Sequence, residues 1–133
     1  MDLKKLEKVV AADDEGVVVT IYQKDGEAYL AMDGTESTMT VVGSESRLYK
    51  AAKRRATDRL LKGRKVKMSS ADVEKNAVAM ASSAVIDWHG WDSDKKELPC
   101  TQDNVRLVLG MADHILDQVQ EAITSHADFS LAS

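Results

Sequence analysis

The 133-residue sequence has only one cysteine, one proline and one phenylalanine. A single cysteine cannot close a disulfide within the chain, so a disulfide-stabilised scaffold is excluded and a reducing cytoplasm is a suitable compartment. No apolar run is long enough to span a bilayer, so we expect no membrane helix. The N-terminus MDLKKLEKVVAADDEG lacks a continuous apolar stretch and a cleavage-type tripeptide, so we expect no secretory signal.

Short motifs that accompany catalysis or cofactor binding are also missing. The sequence contains no GxxxxGK[ST], no GxGxxG and no HExxH, so it has no signature of phosphate-loop, dinucleotide or zinc-peptidase chemistry. Zinc sites need closely spaced ligand pairs, which one cysteine and three scattered histidines do not supply. We therefore expect a protein without enzymatic activity, cofactor or metal.

The stretch WHGWDSDKKELPCTQDN at 88–104 concentrates the rare residues: both tryptophans, one histidine, the only cysteine and the only proline. His89 and Cys100 could form a nucleophilic pair by residue type, but no oxyanion motif or base-orienting partner accompanies them. Structural roles are favoured instead, with Trp88 in the core. Trp91 either packs over a helix end or is an exposed anchor for a partner.

The net charge of −4 hides an uneven distribution. Residues 47–67 contain ten basic residues and one acidic residue, whereas the rest of the chain contains 8 basic and 21 acidic residues. This asymmetry indicates an electrostatic partner, which could be nucleic acid, an acidic protein or another copy of the chain. The alternative is a solvated face that meets the chain's own acidic loops.

An acidic run at Asp13, Asp14 and Glu15 also has two interpretations. It could bind a cation, but no loop of spaced ligands follows it. We therefore expect a solvated loop.

The first third of the chain predicts a short helix followed by strands. Leu3, Leu6 and Val10 have helical spacing, and the acidic AADDEG is expected to end the helix. Three strand-like segments follow, VVVTIYQ, EAYLAM and STMTVV, with turns at 24–26 and 33–34 because Gly and Asp tolerate positive φ. The simplest interpretation is a three-stranded antiparallel meander.

Residues 44–62 are predicted to form an amphipathic helix that Ser44 caps and Gly63 ends. Its apolar face is expected to contain Leu48, Tyr49, Ala52, Ala56 and Leu60. Its basic face carries Arg47, Lys50, Lys53 and Arg54, and Arg59 is the one basic residue inside the apolar arc.

Three further helices are predicted. One begins at Ser70 and ends at Gly90, with an apolar stripe of Val73, Ala77, Met80, Ala81, Ala84, Val85 and Trp88. Thr101 caps the next one, in which Gly110 marks an interruption or a bend. The last helix covers about 112–125 and has one apolar face, formed by Ile115, Leu116, Val119, Ala122 and Ile123.

These elements predict a single α+β domain over residues 1–133. Residues 1–43 form the N-terminal helix and a short antiparallel β meander, and residues 44–133 form a bundle of about four helices.

Three segments occur in an order that resembles the tail assembly chaperones of long-tailed bacteriophages: VVGSESRLYKAAKRRATDRLL, AVIDWHGWDSDKKELPCTQDNVRLVL and QVQEAITSHADF. The resemblance covers roughly residues 37–129. The matching positions are Trp88, Gly90, Pro99, Thr101, Asn104 and Phe129. The second tryptophan and the extended acidic N-terminus depart from the family's pattern.

The resemblance implies a non-enzymatic protein of the host cell cytoplasm that binds the tape-measure protein or tail-tube subunits during virion morphogenesis. The candidate partner-binding residues of this chain are Arg47, Lys50, Arg54, Trp91 and Phe129. One alternative is a virion structural or head–tail connector protein, which would remain in the particle. Another is a DNA-binding accessory protein that uses residues 47–67. Self-association is a further expectation.

Overall fold

The computed structural model describes residues 2–62 and 69–126 of the chain. In these residues the fold is α+β, as predicted, with five helices and two antiparallel sheets. The elements are α1 (Leu3–Glu15), β1 (Val17–Thr20), β2 (Thr38–Val41), α2 (Arg47–Lys62), α3 (Ser70–Ser83), β3 (Val85–His89), β4 (Asp92–Ser93), β5 (Lys96–Glu97), α4 (Gln102–Met111) and α5 (Asp113–Thr124).

Helix α1 is longer than the sequence pattern predicted. Asp2 caps its start by accepting a hydrogen bond from the Lys4 amide, at 3.0 Å. The helix then continues through the acidic run to Glu15, and Gly16 ends it with a φ of 80°. The prediction of a loop at AADDEG was therefore wrong, because the acidic residues at the end of α1 find partners in the rest of the fold.

A three-stranded antiparallel sheet has the order β1-β2-β3. Val19 of β1 lies opposite Met39 of β2, and Met39 lies opposite Trp88 of β3. All three side chains are buried, so one row across the sheet faces the core. The pairing changes register between Thr40 and Val41, which leaves Ile86 as an extra residue in β3.

The predicted meander is only partly present. The two glycine turns form as expected, with the Gly26 amide bonded to Gln23 and the Gly34 amide bonded to Ala31. The segment EAYLAM between them forms no continuous strand, and its bridges join Tyr22 with Ala28 and Leu30 with Glu36. Backbone hydrogen bonds still tie it to both neighbours, from the Tyr29 amide to the Ile21 carbonyl at 3.0 Å and from the Ser37 amide to the Tyr29 carbonyl at 2.7 Å. The third strand of the sheet instead comes from β3, far along the chain.

The helix predicted to run from Ser70 to Gly90 ends at Ser83. Its start was predicted correctly, and Ser69 and Asp72 form a reciprocal capping box. Residues 85–89 then form β3, because pairing with β2 satisfies backbone groups that a longer helix would leave unpaired at the sheet edge. The sequence pattern did not predict this change from helix to strand, because Val85 and Trp88 also have helical spacing from Ala81.

The last two helices match their predictions closely. The Thr101 hydroxyl accepts a hydrogen bond from the Asn104 amide and caps α4. The break expected near Gly110 occurs at Ala112, whose extended backbone separates α4 from α5. The predicted apolar face of α5 is buried, with Leu116 at its edge.

One hydrophobic core joins the sheet to the helices. Its fully buried side chains include Ile21, Met39 and Val41 from the strand region and Val105, Leu109 and Val119 from α4 and α5. Among the described residues, no helix combines the length and the apolar character needed to cross a membrane.

Candidate functional site

The start of helix α2 is held by two acidic residues of α1. Asp13 Oδ2 accepts a hydrogen bond from the Glu45 amide at 2.8 Å, and Asp14 Oδ1 accepts one from the Arg47 amide at 2.7 Å. The Ser46 hydroxyl accepts a third from the Tyr49 amide at 3.2 Å. Amides at a helix start have no partner within the helix, so these contacts stabilise α2 and fix its position relative to α1.

The predicted cap at Ser44 was wrong, because residues 43–46 form a turn before the helix. The Ser46 amide bonds the Gly43 carbonyl at 3.0 Å, and the Ser44 amide bonds the Ile123 carbonyl at 3.2 Å. Helix α2 therefore begins at Arg47, and its start is also tied to the end of α5.

Asp13 is buried where α1, α2 and the end of α5 meet. Its Oδ1 lies 3.3 Å from Nδ1 of His126, a side chain that is itself buried. Gly43 packs directly on the Asp13 carboxylate, and a Cβ at this position would overlap it. The expectation of a solvated acidic loop was therefore wrong for Asp13. Protein donors contact the carboxylates of both Asp13 and Asp14, and among the residues that the structure describes neither belongs to a cluster that could hold a cation.

The basic face of α2 consists of the exposed cations Arg47, Lys50, Lys53, Arg54 and Arg55. Arg47 pairs with Asp14 at 3.6 Å, and Lys50 pairs with Glu45 at 2.9 Å. Within residues 2–62 and 69–126, the other three have no ion pair. Acids of the described residues thus pair with cations only in the first turn of this face.

A shallow depression of about 310 Å³ lies along this face and is lined by Lys50, Lys53, Arg54, Thr57 and Asp58. Three cations within one depression suit carboxylate or phosphate groups as ligands, whereas the Thr57 hydroxyl already donates to the Lys53 carbonyl at 3.0 Å. The arrangement offers binding without catalysis, since this set contains no nucleophile paired with a base. Two of the candidate partner-binding residues, Lys50 and Arg54, line this depression.

A second depression, of about 320 Å³, lies between α2, α3 and α5. We call it the groove; its lining residues are Tyr49, Ala77, Met80, Ala81, Gln120, Ile123 and Thr124. Ala81 and Ile123 are buried at its base, whereas Tyr49 and Met80 are half-buried. The sequence had placed Leu48 with Tyr49 on the buried side of α2, but Leu48 is 51% exposed.

Both tryptophans of residues 88–104 belong to the core. Their rings lie 5.9 Å apart, and Trp91 is only 9% exposed. The indole N–H of Trp88 donates to the Leu98 carbonyl at 2.8 Å, and that of Trp91 donates to the Thr38 carbonyl at 3.0 Å. Trp91 is therefore not an exposed anchor, because its ring is covered and its polar atom is already paired.

Cys100 is half-buried just before α4. Burial, with a smaller contribution from the nearby Asp87 carboxylate, raises the pKa of the Cys100 thiol above its ordinary value. A reactive cysteine needs a lowered pKa, so this environment disfavours the nucleophile interpretation.

Each histidine has a different neighbour. His89 Nε2 lies 2.7 Å from the Thr35 hydroxyl, His114 Nε2 lies 2.6 Å from the Tyr29 hydroxyl, and His126 faces Asp13. No group of three potential metal ligands of the His, Cys, Asp and Glu types occurs in the described part of the chain.

Sequence reasoning missed these pairings because the partners are distant in the chain. Tyr29 and His114 are 85 residues apart, and their rings also stack at 5.8 Å. The burial of Asp13 could have been predicted locally, because its spacing from Leu6 and Val10 places it on the same face of α1.

Two groups of predicted residues lie outside the described part of the chain. They are the candidate Phe129 and the end of the basic segment, 63–68, which includes the predicted helix stop Gly63.

Comparisons with known proteins identify no relative. No protein-family model, no curated protein and no solved structure matches this chain. Functional inference therefore depends on the geometry and charge of the α2 face and its surroundings.

Proposed function

We propose that this protein is a non-catalytic binding protein that holds an acidic polypeptide reversibly against the basic face of α2. One observation carries the proposal: Lys53, Arg54 and Arg55 are exposed on a helix with an anchored start and have no ion pair within the described residues. Exposed charges without internal partners contribute little to folding, but they can steer and orient a charged partner.

A polypeptide partner is favoured over nucleic acid by the surroundings of these cations. The only aromatic residue of α2 is Tyr49, which is half-buried beside the groove and does not extend the basic face into a stacking surface. The groove beside Tyr49 offers an apolar contact that suits amphipathic helices.

In its most specific form, the proposal is a phage tail assembly chaperone that acts in the host cytoplasm on the tape-measure or tail-tube protein. The resemblance around Trp88, Pro99 and Asn104 supports this form. The chemistry of the α2 face is compatible with it, because exposed ion pairs give modest, salt-sensitive affinity and so permit release during assembly.

A binding experiment with a fluorescent acidic amphipathic helical peptide tests the general proposal. Wild-type protein should raise the peptide's anisotropy, and Lys53→Glu with Arg54→Glu should weaken binding about tenfold or more at low salt. The matched control is Lys4→Glu with Lys5→Glu, which makes the same charge change on exposed positions of α1. Equal loss in both variants, or no binding by the wild type, would contradict the proposal.

The chaperone form needs two further measurements. Co-expression should raise the soluble fraction of the tape-measure protein, and mass spectrometry should not find the chain in purified particles. Its presence there in a fixed copy number would support the virion structural or connector alternative instead.

DNA binding is the second candidate, because the same exposed cations could contact phosphates. Gel retardation at increasing salt distinguishes it. If duplex DNA is retarded and Lys50→Glu with Arg54→Glu abolishes the shift, while the acidic peptide does not bind, this candidate replaces the polypeptide partner.

A further inference from the structure

Helices α2 and α5 present exposed faces of opposite charge. Lys53 and Arg54 on α2 have no ion pair in the described residues, which excludes neutralisation by α5. Helix α5 carries the exposed acids Asp113, Asp117 and Glu121, has no lysine or arginine and also forms no ion pair in those residues. Two complementary faces therefore exist on one chain without meeting each other.

Helical spacing places part of each face beside the groove. On α5, Gln120 and Thr124 line the groove. Asp117 lies three residues before Gln120, and Asp113 lies four residues before Asp117, so both acids share the helical face of the lining residues. On α2, Lys53 lies one helical turn after the lining residue Tyr49. The groove therefore lies between the helix that carries the acids and the helix that carries Lys53, with Ala81 and Ile123 buried at its base.

A surface with both charges on opposite sides of an apolar centre is complementary to itself. In a twofold dimer, both partners use the same patch, so a contact from α2 to the partner's α5 occurs twice. The apolar centre would add burial of Tyr49 and Met80, and of Val73, which is 54% exposed one turn before Ala77 on α3.

We propose that the groove face is a self-association surface whose partner is a second copy of this chain, with α2 of each copy facing α5 of the other. Because the contacts are exposed charges around a small apolar centre, the dimer is weak and dissociates as salt rises. This inference does not depend on the proposed function. A dimer would cover Lys53, however, so an acidic polypeptide and the second copy would compete for one face.

Paired charge-reversal variants test the geometry. The first variant carries Lys53→Glu and Arg54→Glu, which places negative charge at the two α2 positions that would face the acids of the partner's α5. The second carries Asp113→Lys and Asp117→Lys, which places positive charge at the two α5 positions that would face Lys53 and Arg54 of the partner. Sedimentation velocity at low salt should show each variant alone with a dissociation constant about tenfold or more above that of the wild type. An equimolar mixture should restore association, because both twofold contacts are then attractive.

Two controls make the result specific. Lys4→Glu with Lys5→Glu should leave the wild-type dissociation constant unchanged, since α1 does not line the groove. Far-ultraviolet circular dichroism should match the wild type for every variant, which excludes unfolding as the cause of a loss.

The inference would be overturned by wild-type protein that stays monomeric at low salt up to roughly millimolar concentration. It would also be overturned if the mixture failed to associate, or if dimers persisted in both variants alone. If the wild type is monomeric but binds the acidic peptide or DNA, the self-association inference is contradicted and the corresponding binding function is supported. If the wild type dimerises but binds no acidic peptide even after dilution to monomer, the dimer stands and the proposed binding of an acidic polypeptide is contradicted.

Discussion

Residues 88–104 and helix α2 are the two conspicuous regions of the sequence, and the folded chain uses them differently. In the first region, Trp88 and Trp91 are buried and their indole N–H groups are paired with backbone carbonyls. In the second, Lys53 and Arg54 are exposed and form no ion pair with the described residues. The region that is rich in chemically versatile residues serves the core, and the region of ordinary charge is available to a partner.

The difference follows from the free energy that each polar group loses when it has no partner within the protein. A buried polar atom without a hydrogen bond is expensive, so burial selects for internal partners. An exposed cation is already solvated, so folding does not require that it find an internal partner. The proposed interaction therefore rests on unneutralised surface charge, whereas burial in the core accounts for the two tryptophans.

The largest effect should come from Trp88→Ala, which tests the structural side of the comparison. Truncating this buried ring should lower the free energy of unfolding by about 3–5 kcal/mol. Urea denaturation followed by circular dichroism measures the change. The matched control is Leu107→Ala, which is 58% exposed in the wild type and should stay within about 0.5 kcal/mol. Equal effects at the two positions would contradict the assignment of Trp88 to the core.

Gly43→Ala should have the next largest effect, because it acts on the joint that supports the basic helix. Its Cβ would overlap the Asp13 carboxylate, and we expect a loss of about 1–3 kcal/mol in unfolding free energy. Gly110→Ala is the control, since a Cβ there meets nothing within 4 Å and α4 should gain about 0.5–1 kcal/mol. Similar changes in both variants would argue against close packing at Gly43.

A smaller, pH-dependent effect is expected at Asp33, next to the tryptophan region. The hydroxyl and the amide of Thr35 donate to its carboxylate and, with His89 nearby, lower the pKa of Asp33 below its ordinary value. A lowered pKa in the folded state means stability that is present at neutral pH and lost as pH falls through that pKa. Asp33→Asn should therefore reduce stability slightly at pH 7 and converge with the wild type in acid. A difference that grows as pH falls would show the sign to be wrong.

The smallest effect on stability should come from Lys53→Glu with Arg54→Glu. These exposed side chains form no ion pair with any residue that the structure describes, so the unfolding free energy should change by less than about 0.5 kcal/mol. Urea denaturation of the folded variant measures this directly. A substantial loss of unfolding free energy would contradict this contrast between the two regions, because the basic face would then contribute to the stability of the fold.

Local patterns predicted much of the helical part. The Thr101 cap, the apolar face of α5 and the glycine turns at Gly26 and Gly34 all follow from chemistry within a few residues. Prediction failed where a distant segment supplied the partner. Residues 85–89 became a strand because β2 offered an unpaired edge, although their spacing equally suited a helix.

The candidate site divides in the same way. Its charge could be predicted, since Arg47, Lys50 and Arg54 cluster in the sequence itself. Its anchoring could not, because Asp13 and Asp14 reach the start of α2 from another helix, more than thirty residues earlier in the chain. The burial of Trp91 likewise depends on Thr38, which is 53 residues away.

By itself the sequence determined where α3 and α4 begin, where the two glycine turns lie, which face of α5 is apolar and where positive charge accumulates. These properties depend on side-chain types and on the spacing of near neighbours. Only the tertiary structure decided which acids neutralise the basic helix, which strand completes the sheet and which tryptophan atoms are covered. Those outcomes depend on contacts between segments far apart in the chain, and the free energy of such contacts outweighs local preference.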